Sequence, residues 1–414
     1  MSAILVLLAL LSVATLASRR GYAAFVAHIV STPLLIAVGV LIAPSRLAFL
    51  TPSTTEALVP ALRVGAAWLA LLVGLRAVRP ALTREYGKDV LFTVVVAGLS
   101  WLVLTATGFG LLVLLEAVGL PIDVLLGGDG WSLVGLAALL GGVVAATGLS
   151  FARDALEGLE HTPVYRRILF FGRHDEAAGA LALCLAVWLL PLPHVVAPVY
   201  AEPALAAVLL VAIGIALAVS LGFAGGTRMG GASATWVALL GLITLASGLS
   251  ASTLLPEAGI AFFFGGAVAA LGLSDALGTE RLAQTERPVR LVVLVLVGTH
   301  LGFTTSAIVI GMALAVTRLG VKALLRVFLQ RSTSADLPLS ALLGSSSVAL
   351  PLALSFALTR PDGLVHNEVL TAVAVAVSLT DLFTLLVWRR RDARDDVEEP
   401  SAEAERQTEQ EVAA

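Results

Sequence analysis

Only one of the 414 residues is cysteine, and only 13% carry charge. A single thiol, Cys184, rules out a disulfide framework and a cysteine metal site, and it leaves the redox compartment unreadable. So little charge, set against 58% hydrophobic residues, rules out an ordinary soluble domain. The formal net charge is −3 and the basic residues are scattered through short loops, so the contiguous basic face that nucleic acid requires is missing. A glycine-rich phosphate loop, a histidine pair at metal spacing and a G-x-S-x-G serine are also absent. The motifs therefore give an enzyme no support, and no cofactor is expected.

Long apolar runs fill the chain instead. At about 20 apolar residues per membrane span, it divides into about thirteen spans: 2–17, 22–43, 57–79, 91–119, 131–152, 164–190, 202–222, 233–254, 256–273, 289–303, 306–329, 337–359 and 366–388. No Lys or Arg precedes the first run, and Arg19 and Arg20 follow it, so it reads as a membrane helix entering from outside and not as a signal peptide. That orientation puts 22 of the 26 basic residues on inward loops and the tail, as the positive-inside rule demands. Only Arg46 and Arg360 fall outside, while Arg63 and Arg318 lie within spans, Arg63 near enough to an outer boundary to snorkel. Residues 1–390 form the membrane domain, expected in the cell (inner) membrane with its amino terminus outside. Residues 391–414 read as a charged, disordered cytoplasmic tail.

Two spans are interrupted by small polar residues at depth. The fifth reads GGVVAATGLS around Thr147 and Ser150, and the twelfth reads GSSSVALP through Ser345, Ser346 and Ser347. They occupy matching places if spans one to six and eight to thirteen are repeats. Seven spans separate them, an odd number, so the repeats would be inverted. The predicted fold is an all-α polytopic membrane protein with two inverted repeats and crossed discontinuous helices. Such breaks survive where the freed backbone faces protein or a cavity, and there Thr147, Ser150, Ser345, Ser346 and Ser347 could lend hydroxyl or freed carbonyl oxygens to an ion. The bland alternative is that Gly and Ser pack membrane helices or cap their ends.

Asp175 and Glu176 stand eleven and twelve residues into the sixth span, beyond easy reach of an interface. A carboxylate at that depth costs at least about 2.5–3.5 kcal/mol on insertion scales, and intramembrane acids mark ion or proton pathways by default. They offer hard oxygens to a small cation and titrate as a coupled pair. An acid that must lose its proton before binding a cation makes the two ions competitors, which is the physical core of antiport. The alternative is a structural ion pair between helices. Arg318, in the eleventh span, is a permanent cation placed to compensate the acids, or else one that snorkels beside Lys322 and Arg326. His174 points about 100° away from Asp175 on a helix and reads as a packing residue. Asp154 and Glu157 read as a solvated helix end, and Asp381 either as a further intramembrane acid or as an interfacial partner of Arg389 or Arg390.

Three stretches carry a family resemblance. AATGLSFARDAL is similar to the broken-helix motif of the monovalent cation:proton antiporter superfamily, the bacterial sodium/proton and potassium/proton antiporters. RHDEAAGALAL resembles that family's acidic motif, and TRLGVKAL the stretch whose basic residue partners the acids. The resemblance covers roughly residues 20 to 389. It implies that Asp175 and Glu176 bind the transported monovalent cation and the proton, that Thr147 is the broken-helix threonine, and that Arg318 is the basic partner. It also implies a homodimer in the bilayer, with a core domain that moves against a dimerisation domain. Na⁺ ranks ahead of K⁺. Two departures stand out, Gly148 where the family often has Asp, and Glu176 where the second acid is usually Asp. They keep two rival readings in view, an organic-anion transporter using Arg318 and a non-transporting sensor or scaffold of the same fold.

Overall fold

The computed structural model describes residues 3–17, 32–44, 46–47, 49–81, 87–118, 130–148, 163–189, 203–226, 232–273, 279–333, 340–344, 346, 348–359, 367–384 and 386. Ser150, Asp154, Glu157, Ser345, Ser347 and the 391–414 tail lie outside the described residues. The described regular structure is entirely helical. In chain order the helices are α1 (Ala3–Ala17), α2 (Thr32–Ile42), α3 (Pro52–Ala81), α4 (Gly87–Ala117), α5 (Gly130–Ala145), α6 (Pro163–Leu189) and α7 (Pro203–Gly226). There follow α8 (Ala232–Thr253), α9 (Glu257–Ala270), α10 (Thr279–Gly298), α11 (Thr305–Thr333), α12 (Ser340–Leu343), α13 (Ala349–Leu358) and α14 (Asn367–Thr384).

Each of the thirteen sequence spans meets a helix, the twelfth being divided into α12 and α13. Six helices, α3, α4, α7, α8, α11 and α14, contain stretches long and apolar enough to cross a membrane. α6 has the length, at 27 residues, but its charged residues set it apart from those six. The tenth span differs most from expectation, because α10 starts at Thr279, ten residues before the apolar run. Its polar residues find partners inside the protein. Trp68 Nε1 donates to Thr285 Oγ1 at 2.8 Å, Arg76 pairs with Glu286, and Arg290 donates to Thr32 Oγ1 at 3.1 Å.

Local chemistry sets several boundaries. Pro52 takes the first position of α3, where its missing N–H costs nothing, and Thr51 Oγ1 caps the Thr54 N–H at 3.2 Å. Thr304 caps α11 in the same way through the Ala307 N–H at 3.3 Å. Between α8 and α9 the chain reverses within three residues, helped by Leu254 in the left-handed region at φ 56°. That conformation is unusual for a branched side chain.

Without a strong hydrophobic drive in lipid, helices associate through close backbone packing at small residues. α3 and α9 do this most tightly. A Cβ on Gly74 would collide with the Phe262 carbonyl, and one on Gly265 with the Leu71 carbonyl. Gly39 and Gly298 bring α2 and α10 together in the same manner. Helices α2, α3, α9 and α10 thus form one closely knit panel, with α7 packed on α9. Against it stand α4, α5, α6, α11 and α13, which pack among themselves around the interrupted segments. Exposed apolar side chains such as Val95, Leu99 and Leu102 on α4 and Val237 on α8 give the molecule an apolar exterior, the surface that an integral membrane protein turns to lipid.

Candidate functional site

α5 stops at Ala145, and α12 stops at Leu343 before the helix resumes as α13. The two unwound segments face each other. Gly148 N–H donates to Gly344 O at 2.8 Å and Ser346 N–H donates to Ala146 O at 3.2 Å, a two-rung antiparallel ladder. Each break exposes carbonyls left over from one helix end and amides freed from the ladder, and buried groups of both kinds must find partners.

Charged side chains from neighbouring helices meet those groups. Arg318 on α11 is wholly buried and donates to Ala146 O at 3.0 Å and Gly344 O at 2.9 Å, one carbonyl from each break. Both bonds come from one nitrogen, Nη2, and the guanidinium charge complements the negative ends of both helices. On α6, Asp175 accepts the Thr147 N–H at 2.9 Å on Oδ2. Thr147 Oγ1 donates to Leu342 O at 3.4 Å, tying the first break to α12. Glu176 Oε1 accepts from Ser346 Oγ at 3.2 Å, and Ser346 Oγ in turn caps the Val348 N–H at the start of α13.

The ion-pair partner of the acids differs from the expectation. Lys322 Nζ sits 2.7 Å from Asp175 Oδ2, both side chains having no exposure, and it lies 5.1 Å from the Phe171 ring centre. Arg318 was expected to hold this place. Residues 318 and 322 lie one turn apart on the same face of α11, and the longer planar group takes the carbonyls while the ammonium takes the carboxylate. Asp381 on α14 is 1% exposed and acts electrostatically on Arg318, so it belongs to the intramembrane charge set and not to an interface. His174 Nδ1 donates to Phe170 O at 2.8 Å and stacks on the Phe170 ring, away from the acids.

The described part of the site therefore holds three buried acids, Asp175, Glu176 and Asp381, with two buried cations, Arg318 and Lys322. Asp175 Oδ1 is buried and accepts no hydrogen bond among the described residues. No group of three or more His, Cys, Asp or Glu side chains forms a metal cluster there. The geometry instead gathers carboxylate, hydroxyl and carbonyl oxygens around the two breaks, with Lys322 paired to Asp175.

A fourth buried acid, Glu257, went unnoticed in the sequence because it fell at the boundary between two spans. Arg63 also departs from expectation. That side chain does not snorkel but turns inward, donating to Ser250 Oγ and to Leu358 O, each at 2.9 Å, with Glu257 Oε2 at 3.6 Å. The signal available was a basic and an acidic residue near the same end of neighbouring spans.

No family model matches the sequence, and no curated protein matches it. Among solved structures the fold is similar to that of the sodium proton antiporter MjNhaP1 from Methanocaldococcus jannaschii, with a TM-score of 0.59 and 16% sequence identity over 93% of this chain and 95% of that one. The likeness spans nearly the whole of both chains and shows that the two share a fold.

Proposed function

We propose that the chain is a secondary transporter that exchanges a monovalent cation, Na⁺ ahead of K⁺, for protons by alternating access, and that it is not an enzyme. The observation that carries this reading is the pair Asp175 and Glu176, buried where two helix breaks meet and held by Lys322, Thr147 and Ser346. The antiporter fold supports it.

In this mechanism Asp175 and Glu176 have different tasks. Asp175 Oδ2 is committed to Lys322 and the Thr147 amide, while Glu176 Oε1 accepts from the Ser346 hydroxyl. In this reading Glu176 is the carboxylate for which the cation and the proton compete, with Ser346 Oγ and Asp175 Oδ1, which accepts no hydrogen bond among the described residues, as further oxygens. A bound cation beside Asp175 replaces the charge that Lys322 supplied, and Lys322 withdraws. When the cation leaves, Lys322 returns and neutralises the site for the reverse step. Arg318 stays on the two carbonyls and holds the breaks together throughout. That commitment also counts against the organic-anion reading, which needs Arg318 free for a substrate.

The cell membrane, an amino terminus outside, a cytoplasmic 391–414 tail after a 1–390 membrane domain, and a homodimer belong to the same proposal. The positive-inside distribution supports the orientation. The test is dequenching of a pH gradient in everted vesicles from antiporter-deficient cells, on adding Na⁺ and then K⁺. A cation-triggered signal that Asp175→Asn abolishes establishes exchange through this site. Silence from well-expressed protein with both ions defeats the reading.

A further inference from the structure

About one length of α13 from the ion site, roughly 15 Å at 1.5 Å per residue, lies a second charge cluster that the transport chemistry does not use. Glu257 is the first residue of α9 and has no exposure, and Ser250 and Ser355 beside it have none either. Ser250 Oγ donates to Glu257 Oε2 at 2.6 Å. Arg63 reaches the same carboxylate from α3 and also donates to Leu358 O, the last residue of α13.

Two helix ends are completed here by groups from other helices. The N-cap of α9 is Pro256, which has no side-chain oxygen to offer, and the orphan N–H of Ala258 is accepted by Ser355 Oγ of α13 at 3.1 Å. At the C-terminal end of α13, three residues beyond Ser355, Arg63 caps the Leu358 carbonyl and sets positive charge against the negative end of that helix. Arg63 and Glu257 both belong to the α3–α9 pair, which the glycine contacts weld into one unit. Ser355 and the Leu358 carbonyl belong to α13, which continues directly from the break at the ion site. The cluster therefore spans the seam between the panel and the site-bearing helices. The Arg76–Glu286 pair differs in this respect, because it is partly exposed and joins α3 to α10 within the panel.

We infer that Arg63, Glu257 and Ser355 form a latch that closes one face of the ion site, the outward face under the proposed topology, by clasping α13 to the α3–α9 panel. The inference rests on the alternating-access reading. Opening that face breaks two bonds, Arg63 to Leu358 O and Ala258 N–H to Ser355, while Arg63 and Glu257 remain together on the panel. α13 also packs on α3 and α9 across this seam, but among the described residues no glycine contact of the α3–α9 kind locks it, so once the two hydrogen bonds break the seam can open reversibly.

The latch can be tested without any transport measurement. In a Cys184→Ala background, Thr359→Cys places a reporter thiol at the seam, at a residue 3% exposed, and Leu139→Cys places a control within α5. Purified full-length protein in nanodiscs is labelled with a polar maleimide, so both faces are accessible. With the latch intact the seam thiol reacts slowly. Glu257→Gln or Ser355→Ala speeds its labelling by about tenfold, and the Leu139→Cys control stays unreactive. If Glu257→Gln does not fold, Ser355→Ala, which removes one hydroxyl, carries the test. Unchanged labelling at the seam, or equal acceleration at both reporters, overturns the latch. Because Asp175→Asn in the vesicle assay tests transport separately, failure of the latch and failure of the transport reading are distinguishable.

Discussion

Lys322 Nζ and Asp175 Oδ2 are 2.7 Å apart, in contact across 147 positions of sequence with no solvent reaching either side chain. Removing one member of such a pair strands a buried charge and costs about 3–5 kcal/mol, whereas replacing both with apolar groups of similar size is often close to neutral. Asp175→Leu and Lys322→Met should each lower the melting temperature in detergent, and the double variant should recover most of the loss. Additive losses would show that the pair is not the coupled unit described here.

Competition at Glu176 fixes the sign of the pH response. Lowering pH fills the carboxylate with protons and leaves fewer sites for Na⁺, so the apparent KM for Na⁺ should rise by up to about tenfold per pH unit on the acid side. Vmax in that range should change little. At strongly alkaline pH the maximal rate should fall, because no proton is available for the return step. Glu176→Gln should abolish both effects along with exchange, while costing less stability than Asp175→Leu. Initial rates against Na⁺ at a series of pH values provide the check.

Arg318→Lys keeps the charge and shortens the reach. Arg318 Nη2 donates to both Ala146 O and Gly344 O, and the shorter lysine side chain carries its ammonium less far, so a buried carbonyl is left short of a donor at a cost of about 1–3 kcal/mol. The outcome expected in thermal melts is a destabilised protein that still responds to Na⁺. Full stability in this variant would contradict the two-carbonyl role.

Backbone contact between α3 and α9 sets a contrast between glycines. Gly265→Val forces side-chain atoms against the Leu71 carbonyl and should cost about 1–3 kcal/mol or more. Gly241 on α8 has open space around its Cβ position, and Gly241→Ala should gain up to about 1 kcal/mol from helix propensity alone. Chemical denaturation of the two variants side by side separates packing from composition.

Apolar length was enough to locate thirteen spans, and two Gly/Ser interruptions at matching places were enough to mark breaks that the structure joins by a ladder. The acid pair was visible because charge inside an apolar run is costly. The choice between Arg318 and Lys322 was hidden, since residues four apart share a helix face and only the shape of the cavity decides which head group reaches the carboxylate. Glu257 was hidden by a reversal so tight that it looked like the edge of two spans. The first half of α10 was hidden because its polar residues read as a loop, although Trp68 and Arg76 supply Thr285 and Glu286 with partners inside the protein.

The separation of Asp175 from Lys322 also has a consequence for biosynthesis. At ribosomal speeds of about 5–20 residues per second, the 147 positions between them mean that the carboxylate is made about 7–30 s before its counter-ion exists. Until α11 emerges, α6 must be kept near the insertion machinery or against earlier helices with its acid unpaired. Protein quality control therefore meets this chain at its most vulnerable in mid-synthesis, and a Lys322→Met chain would never leave that stage with its charge matched.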